Sequence, residues 1–274
     1  LNSMLRPVGK NFLPMSLRTY VCAALLGLCL SLSSAWAAEP PTTEAIQNSL
    51  DKIAERKLPE AEQKALQQVL EQTLAFLSAK QESEKKLVEL KQQLADAPHQ
   101  TSENQRELAK LNDSKVIPVT QRYASLSVPQ LEQILAERTN EQGALQKSLS
   151  EANSLTITSQ TRPERAQAEI SANQTRAQQI NNSLKLGKAG GKILTADQRN
   201  QLNAELAAIN ALTLLRRQEL AGNSLLQDLG NSQHDLWIAR AARLEQEIQE
   251  LQTLINQKRL AQSQQTVTEQ SIEA

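Results

Sequence analysis

A regular apolar pattern near the C-terminus limits the folds open to this chain. Apolar residues there alternate at spacings of four and three, which is the heptad repeat of a coiled coil. The predicted seam consists of Trp237, Ala241, Leu244, Ile248, Leu251 and Ile255. The same spacing runs upstream from Leu202 to Leu220, so we expect one long helix over about 195–265. A 70-residue helix is about 105 Å long.

Composition favours thin helical layers over a thick core. After residue 37 the only aromatic residues are Phe76, Tyr123 and Trp237, and Cys and Met are absent. Buried aromatic rings supply much of the area of a globular core, so a β-sandwich is not expected. Ala, Leu, Gln, Glu, Lys and Arg dominate, and all are good helix formers. We predict an all-α fold, an elongated antiparallel helical bundle or coiled coil with one long C-terminal helix.

The charge balance excludes nucleic acid as a partner. The first 37 residues contain three basic residues and no acid, so the remainder carries 27 basic and 30 acidic residues. A nucleic-acid-binding protein needs a positive surface to displace counterions. The net charge of −3 provides none.

Residues 1–37 have the pattern of a secretory signal with a few upstream residues. A basic start precedes the apolar stretch Val21–Leu32, and Ala35-Trp36-Ala37 is a small-x-small cleavage site before Ala38. A membrane-spanning helix needs about 20 apolar residues, and serines interrupt this stretch too soon. We therefore expect cleavage between Ala37 and Ala38 and a periplasmic mature protein.

Both cysteines lie inside the predicted signal. Val21 precedes Cys22 and Leu28 precedes Cys29, whereas a lipoprotein needs a small residue before the modified cysteine. Lipidation is therefore not expected, and the exported part has neither disulfides nor thiol chemistry. We treat residues 38–274 as one periplasmic helical coiled-coil domain.

Prolines and glycines divide this domain into helices. Ala97-Pro98 and the segment before Pro163 are predicted to be breaks, and Gly187–Gly191 is predicted to be a turn between the last two helices. The predicted helices cover about 43–56, 59–95, 101–112, 129–157, 163–186 and 195–265.

Three of the predicted boundaries carry capping boxes, in which a hydroxyl and a Gln or Glu three residues later bond to each other's backbone amides. They are Ser127 with Gln130, Thr161 with Glu164, and Thr195 with Gln198. Proline follows the hydroxyl residue by two positions in the first two of them. We predict a helix start at each.

No constellation of residues predicts catalysis, a cofactor or a metal. His99 and His234 are the only histidines and lie in different segments, whereas a zinc site needs three or four ligands that converge. The acid clusters Glu82/Glu84 and Glu245/Glu247/Glu250 are interpreted as solvated helix faces. The GKAGGK run at 187–192 lacks the spacing of a phosphate-binding loop and has no strand before it. We therefore predict that the protein is not an enzyme.

Several segments, in their order along the chain, resemble a known family. They are Gln160–Arg165, Gly222–Asp228, Arg243–Glu245 and Asn256–Leu260. Together with the signal peptide and the Ser127 cap, they are similar to the N-terminal periplasmic, "porin-like" region of the large mechanosensitive channels of the MscK (KefA) family, within the MscS superfamily. The resemblance covers nearly all of residues 38–265.

The resemblance implies an accessory or sensory domain of an inner-membrane ion channel that opens under membrane tension in osmotic downshock. Its implied partner is the membrane domain of the same parent chain, in a homo-heptamer, with cell-wall or periplasmic protein contacts. Because the sequence stops at Ala274 without a pore segment, we expect a fragment or truncated gene product. The alternative is a free-standing periplasmic coiled-coil adaptor or scaffold.

Overall fold

The structure is a computed structural model that describes residues 39–273. It is built almost entirely of helices, which confirms the all-α prediction. The elements in order are helix α1 (Thr43–Asp51), a 3₁₀ turn (Ile53–Arg56), α2 (Glu60–Asp113), α3 (Val119–Arg122), α4 (Val128–Leu186), strands β1 (Lys188–Ala189) and β2 (Lys192–Ile193), and α5 (Ala196–Glu273). Among the described helices, none combines the length and apolarity that a bilayer span requires.

The three long helices form an up-down-up bundle in which α2 and α4 both pack along α5. Helix α2 runs parallel to α5, since Gln72 bonds Gln201 and, further along both helices, Asn104 bonds Ser232. Contacts of α4 run in the opposite direction, because Arg176 pairs with Glu205 and Glu132 with Arg259. With 78 residues, α5 is about 117 Å long and confirms the predicted long C-terminal helix.

Two predicted helix breaks are wrong. Helix α2 continues through Pro98 and α4 continues through Pro163, so the breaks at Ala97-Pro98 and at the Thr161 capping box do not occur. The Thr161 hydroxyl instead donates to the Ile157 carbonyl of its own helix, 3.3 Å away. A proline inside a helix costs about 3 kcal/mol. Packing on α5 on both sides of each proline outweighs that cost, because tertiary contacts supply most of a helix's stability.

The other two capping boxes and the predicted turn are confirmed. The Ser127 amide donates to Oε1 of Gln130 at 2.9 Å, and the Gln198 amide donates to Oγ1 of Thr195 at 3.2 Å. Between α4 and α5, β1 and β2 form a two-stranded antiparallel hairpin. Gly187, Gly190 and Gly191 adopt positive φ there, which glycine does without steric cost.

Among the described residues, buried apolar side chains form three separate clusters along the bundle. Each joins a different part of α5 to its neighbours. The first contains Ile46, Leu70, Leu77 and Ala204; the second contains Leu90, Leu94, Leu215 and Leu226; the third contains Val119, Val128, Leu131, Leu251, Leu254 and Ile255. Such thin layers match a chain that is poor in aromatic residues.

Candidate functional site on the long helix

The C-terminal part of the predicted seam is buried. The exposed fractions are 0% for Leu251, 4% for Ile255, 6% for Leu244 and 8% for Ile248. Leu251 and Ile255 belong to the third core cluster, beneath α3 and the first turn of α4. The structure therefore encloses this part of α5 against two other elements.

The N-terminal part of the predicted seam is more open. Trp237 and Ala241 are only half buried. The guanidinium carbon of Arg240 lies 4.8 Å from the centroid of the Trp237 ring, and the same guanidinium pairs with Glu107 of α2. The stacked guanidinium shields part of an indole that the helices leave partly exposed.

Two glutamates of α5 bind the segment that connects α2 to α4 and the first part of α4. Glu247, whose side chain is 16% exposed, lies 3.3 Å from Nε of Arg138 and 3.5 Å from Nη1 of Arg122. The Tyr123 hydroxyl also donates to this carboxylate at 3.3 Å. Glu250 accepts the backbone N–H of Val119 at 2.9 Å, which satisfies an unpaired donor in the first turn of α3.

Two basic side chains of α5 bind backbone carbonyls of the same connection. Arg243 donates to the carbonyls of Leu111 and Ser114 at the C-terminal end of α2. Lys258 donates to the carbonyls of Ala124 and Leu126, at 2.8 and 2.6 Å. A cation is favourable at a helix C-terminus, where carbonyls lack partners within the helix. We call Arg243, Glu247, Glu250 and Lys258, with the groups that they bind, the polar clamp.

Electrostatics in the polar clamp favour the charged forms. The backbone N–H of Val119, followed by the side-chain amide of Gln246, lowers the pKa of Glu250 below its ordinary value. A hydrogen bond to Glu141 raises the pKa of Arg138, and the charge of Glu247 adds to that effect. The arrangement thus holds the backbone of the α2–α4 connection in a fixed position against α5.

Sequence reasoning missed the polar clamp. Glu82, Glu84 and Glu245 are exposed, as predicted, but Glu247 and Glu250 are half buried, so the interpretation of a solvated face is wrong for these two. Their partners outside α5 are more than 100 positions away in the chain. The sequence does contain a signal for Glu247 and Glu250, because both are next to the seam residues Ile248 and Leu251.

The two predicted histidines lie apart from the polar clamp. His99 is in α2 near Glu103, and His234 is in α5 beside Asp235. Within residues 39–273, no group of three or more His, Cys, Asp and Glu side chains is arranged to hold a metal ion. Ala35, Ala37 and Ala38, the predicted cleavage residues, lie outside the described residues, as does the whole segment 1–37.

Comparison with known proteins identifies relatives of this chain. The profile of the family described as "Mechanosensitive ion channel porin domain" matches residues 49–274. The chain is similar to the mechanosensitive channel MscK of Escherichia coli (strain K12), with 33% identity over 230 residues. It is also similar to an uncharacterized MscS family protein of Haemophilus influenzae (strain ATCC 51907 / DSM 11121 / KW20 / Rd), with 26% identity over 227 residues.

The matched regions are a small part of these relatives. They cover 84% and 83% of this chain but 20% of each of the two relatives. The chain therefore spans about a fifth of the length of the curated relatives that it matches. No solved structure matches the chain.

Proposed function

The chain belongs to the mechanosensitive ion channel porin domain family, and we propose that it is an N-terminal periplasmic accessory or sensory domain of an MscS-superfamily channel that responds to osmotic downshock. The match extends over most of the described residues, and of the two curated relatives one is a mechanosensitive channel and the other an MscS family protein. In this proposal the channel membrane domain of the same parent chain is the partner, in a homo-heptamer, with cell-wall or periplasmic proteins as further contacts.

The observation that carries the proposal is the continuous helix α5. It runs without a break from Ala196 to Glu273 and is supported along most of its length by α2 and α4. A domain outside a pore alters gating only by changing the energy difference between closed and open states. In this proposal α5, about 117 Å long, carries contacts made by the domain towards the attached channel.

The seam and the polar clamp supply the stiffness that such a role requires. Leu244 and Ile248 are 6% and 8% exposed, next to a clamp that ties the α2–α4 connection to the same stretch of α5. Large-to-alanine changes at buried positions cost about 2–5 kcal/mol each. Softening this stretch should therefore change how a load reaches the attached channel.

Patch-clamp recording of the full-length channel tests the proposal. We expect Leu244→Ala with Ile248→Ala to shift the tension threshold and to leave the single-channel conductance unchanged. The matched control is Leu260→Ala with Ile238→Ala, since these side chains are 59% and 45% exposed. It should change neither quantity.

Two results would overturn the proposal in different ways. A changed conductance at an unchanged threshold would mean that the domain shapes the ion path. A threshold that is the same in both double variants and in a channel without this domain would favour a free-standing adaptor. Export is tested separately by N-terminal sequencing of the secreted protein, for which a start at Ala38 is expected and a start at Met4 or Met15 contradicts cleavage.

A further inference from the structure

The three long helices each contain a backbone weakness, and the three weaknesses lie close to one another along the bundle. Helix α2 contains Pro98, α4 contains Pro163, and α5 contains Gly222 and Gly230. We call the set formed by residues 94–98, 156–163 and 222–230 the proline layer. Its members meet near Gly222 and Asn223 of α5.

Each proline removes a hydrogen bond from its own helix, and in both cases the residue that loses its donor lies against α5. A proline nitrogen carries no hydrogen, so Pro98 cannot donate to the carbonyl of Leu94, and Pro163 cannot donate to the carbonyl of Ser159. Leu94 contacts Gly222, and Ser159 contacts Asn223, which is the next residue of α5. Helices α2 and α4 therefore lose backbone bonds beside two consecutive residues of α5.

Asn223 replaces the bond that Pro163 removes. Its side-chain Nδ2 donates to the Ser159 carbonyl at 2.8 Å. This hydrogen bond crosses from α5 to α4 and satisfies a carbonyl that would otherwise have no donor within its helix. The Pro163 gap in α4 is thus bridged by one side chain of another helix.

The α5 side of the layer is built for close approach. A Cβ added to Gly222 would collide with the methyl carbons of Leu94, and one added to Gly230 would lie 2.9 Å from Oγ1 of Thr156. Glycine at these positions therefore lets the neighbouring helices pack closely. It also destabilises the helix relative to alanine, because glycine loses more backbone entropy on folding.

Buried polar atoms without protein partners also collect in this layer. Oγ1 of Thr156, Nη1 of Arg162 and Oδ1 of Asn223 are buried and have no hydrogen-bond partner among the described residues. Leaving such atoms unpaired in the folded state opposes folding. The layer thus combines broken backbone ladders, helical glycines and unpaired polar atoms close to one another.

From this coincidence we propose that the proline layer is a hinge, at which the rod opens locally and its two halves bend relative to each other, and that the Asn223–Ser159 hydrogen bond holds it closed. Sharp kinks in helices occur at proline and at inserted side chains, and here both features occur close to one another. The hinge belongs to the rod itself and does not depend on the proposed channel role.

A double-mutant cycle of Asn223 and Pro163 tests the closing bond. In the parent protein, which keeps Pro163, Asn223→Ala should raise the equilibrium constant for urea unfolding about fivefold, because the Ser159 carbonyl loses its donor. In the Pro163→Ala background, alanine supplies a backbone N–H for that carbonyl, so the same substitution should raise the constant less than about twofold. Equal effects in the two backgrounds would overturn the assignment of this bond.

Bending is measured by double electron–electron resonance between spin labels on α5. The labels are attached at Asn210→Cys and Ala242→Cys, which are exposed on either side of the layer and about 48 Å apart along the helix. Cys22→Ser and Cys29→Ser remove the other two thiols. We expect a broad distance distribution that narrows in the Pro98→Ala/Pro163→Ala variant.

The matched control is Pro129→Ala, the same change in the first turn of α4, where a missing N–H has no helical partner to lose. The control should leave the distribution as broad as in the parent protein. An equally narrow distribution in all three proteins, or narrowing by the control alone, would overturn the hinge.

Discussion

The polar clamp and the proline layer lie on the same helix, α5, about 20 residues apart, and they contain opposite kinds of contact. At the clamp, Glu250 accepts a backbone N–H and Arg243 donates to helix-terminal carbonyls, above a cluster that includes the fully buried Leu251. In the proline layer, glycines contact the neighbouring helices and three buried polar atoms have no protein partner among the described residues. Both regions nevertheless include a stretch of the same continuous helix.

This difference shows that the spacing of apolar residues and the chemistry of the individual side chains determine different properties of α5. A three-and-four spacing of apolar residues decides which face of α5 is buried. The size and hydrogen-bonding state of the groups on that face decide how strongly each stretch is held. A helix of uniform secondary structure therefore has a non-uniform local stability.

The largest expected effect comes from removing a large side chain under the clamp. Leu251→Ala should lower the free energy of unfolding by about 2–5 kcal/mol, because Leu251 is fully buried in the third core cluster. Urea titration followed by circular dichroism measures the change. The control Leu260→Ala, at a position 59% exposed, should change the value by no more than about 0.5 kcal/mol. Equal effects at the two positions would show that the buried side chain of Leu251 does not stabilise the region of the clamp.

A smaller effect is expected from adding a methyl group in the proline layer. Gly222→Ala should destabilise the fold by about 1–3 kcal/mol, because the new Cβ overlaps the buried side chain of Leu94. Gly143→Ala in α4 is the matched control, since nothing lies within 4 Å of its added Cβ. That control should stabilise the fold by about 0.5–1 kcal/mol through helix propensity alone. Stabilisation by both substitutions would show that the layer is not closely packed.

The smallest effect concerns the pH dependence of the clamp. The pKa of Glu250 is lowered from its ordinary value of 4.5, so its contribution is present above pH 4.5 and is lost as the pH falls through the lower folded-state pKa. Glu250→Gln should therefore cost less than about 1 kcal/mol at pH 7, and this difference should shrink toward pH 3.

Urea titrations of the parent protein and the Glu250→Gln variant at several pH values measure the difference. The same substitution at the exposed Glu245 corrects for the general effect of removing a negative charge. If the corrected difference between the parent protein and the Glu250→Gln variant stays constant from pH 7 to pH 3, Glu250 does not stabilise the clamp through its charge.

The sequence predicted those features whose causes are local. The Ser127 and Thr195 caps each depend on a residue three positions later, and the turn after α4 depends on glycines within it. Composition and spacing were sufficient for the all-α fold and the long α5. The cap and turn signals lie within a few residues of the structure that they specify.

The errors arose where the cause is distant in the chain. A break was predicted at Ala97-Pro98 and a new helix start at the Thr161 box with Pro163 in its first turn, whereas both helices continue through these prolines and the compensating contacts come from α5. Glu247 and Glu250 were interpreted as solvated because their partners, around Val119 and Arg138, are more than 100 residues away. Neither compensation can be recognised until the register between helices is known.

Native-state hydrogen exchange along α5, read by mass spectrometry of overlapping peptides, tests most directly whether the two regions differ in stability. Amides over 244–255, beside the clamp, should exchange slowest, at rates close to those set by global unfolding. Amides over 218–234, in the proline layer, should exchange at least about tenfold faster, because local opening exposes them. Equal protection over the two stretches, or slower exchange in the proline layer, would contradict the account.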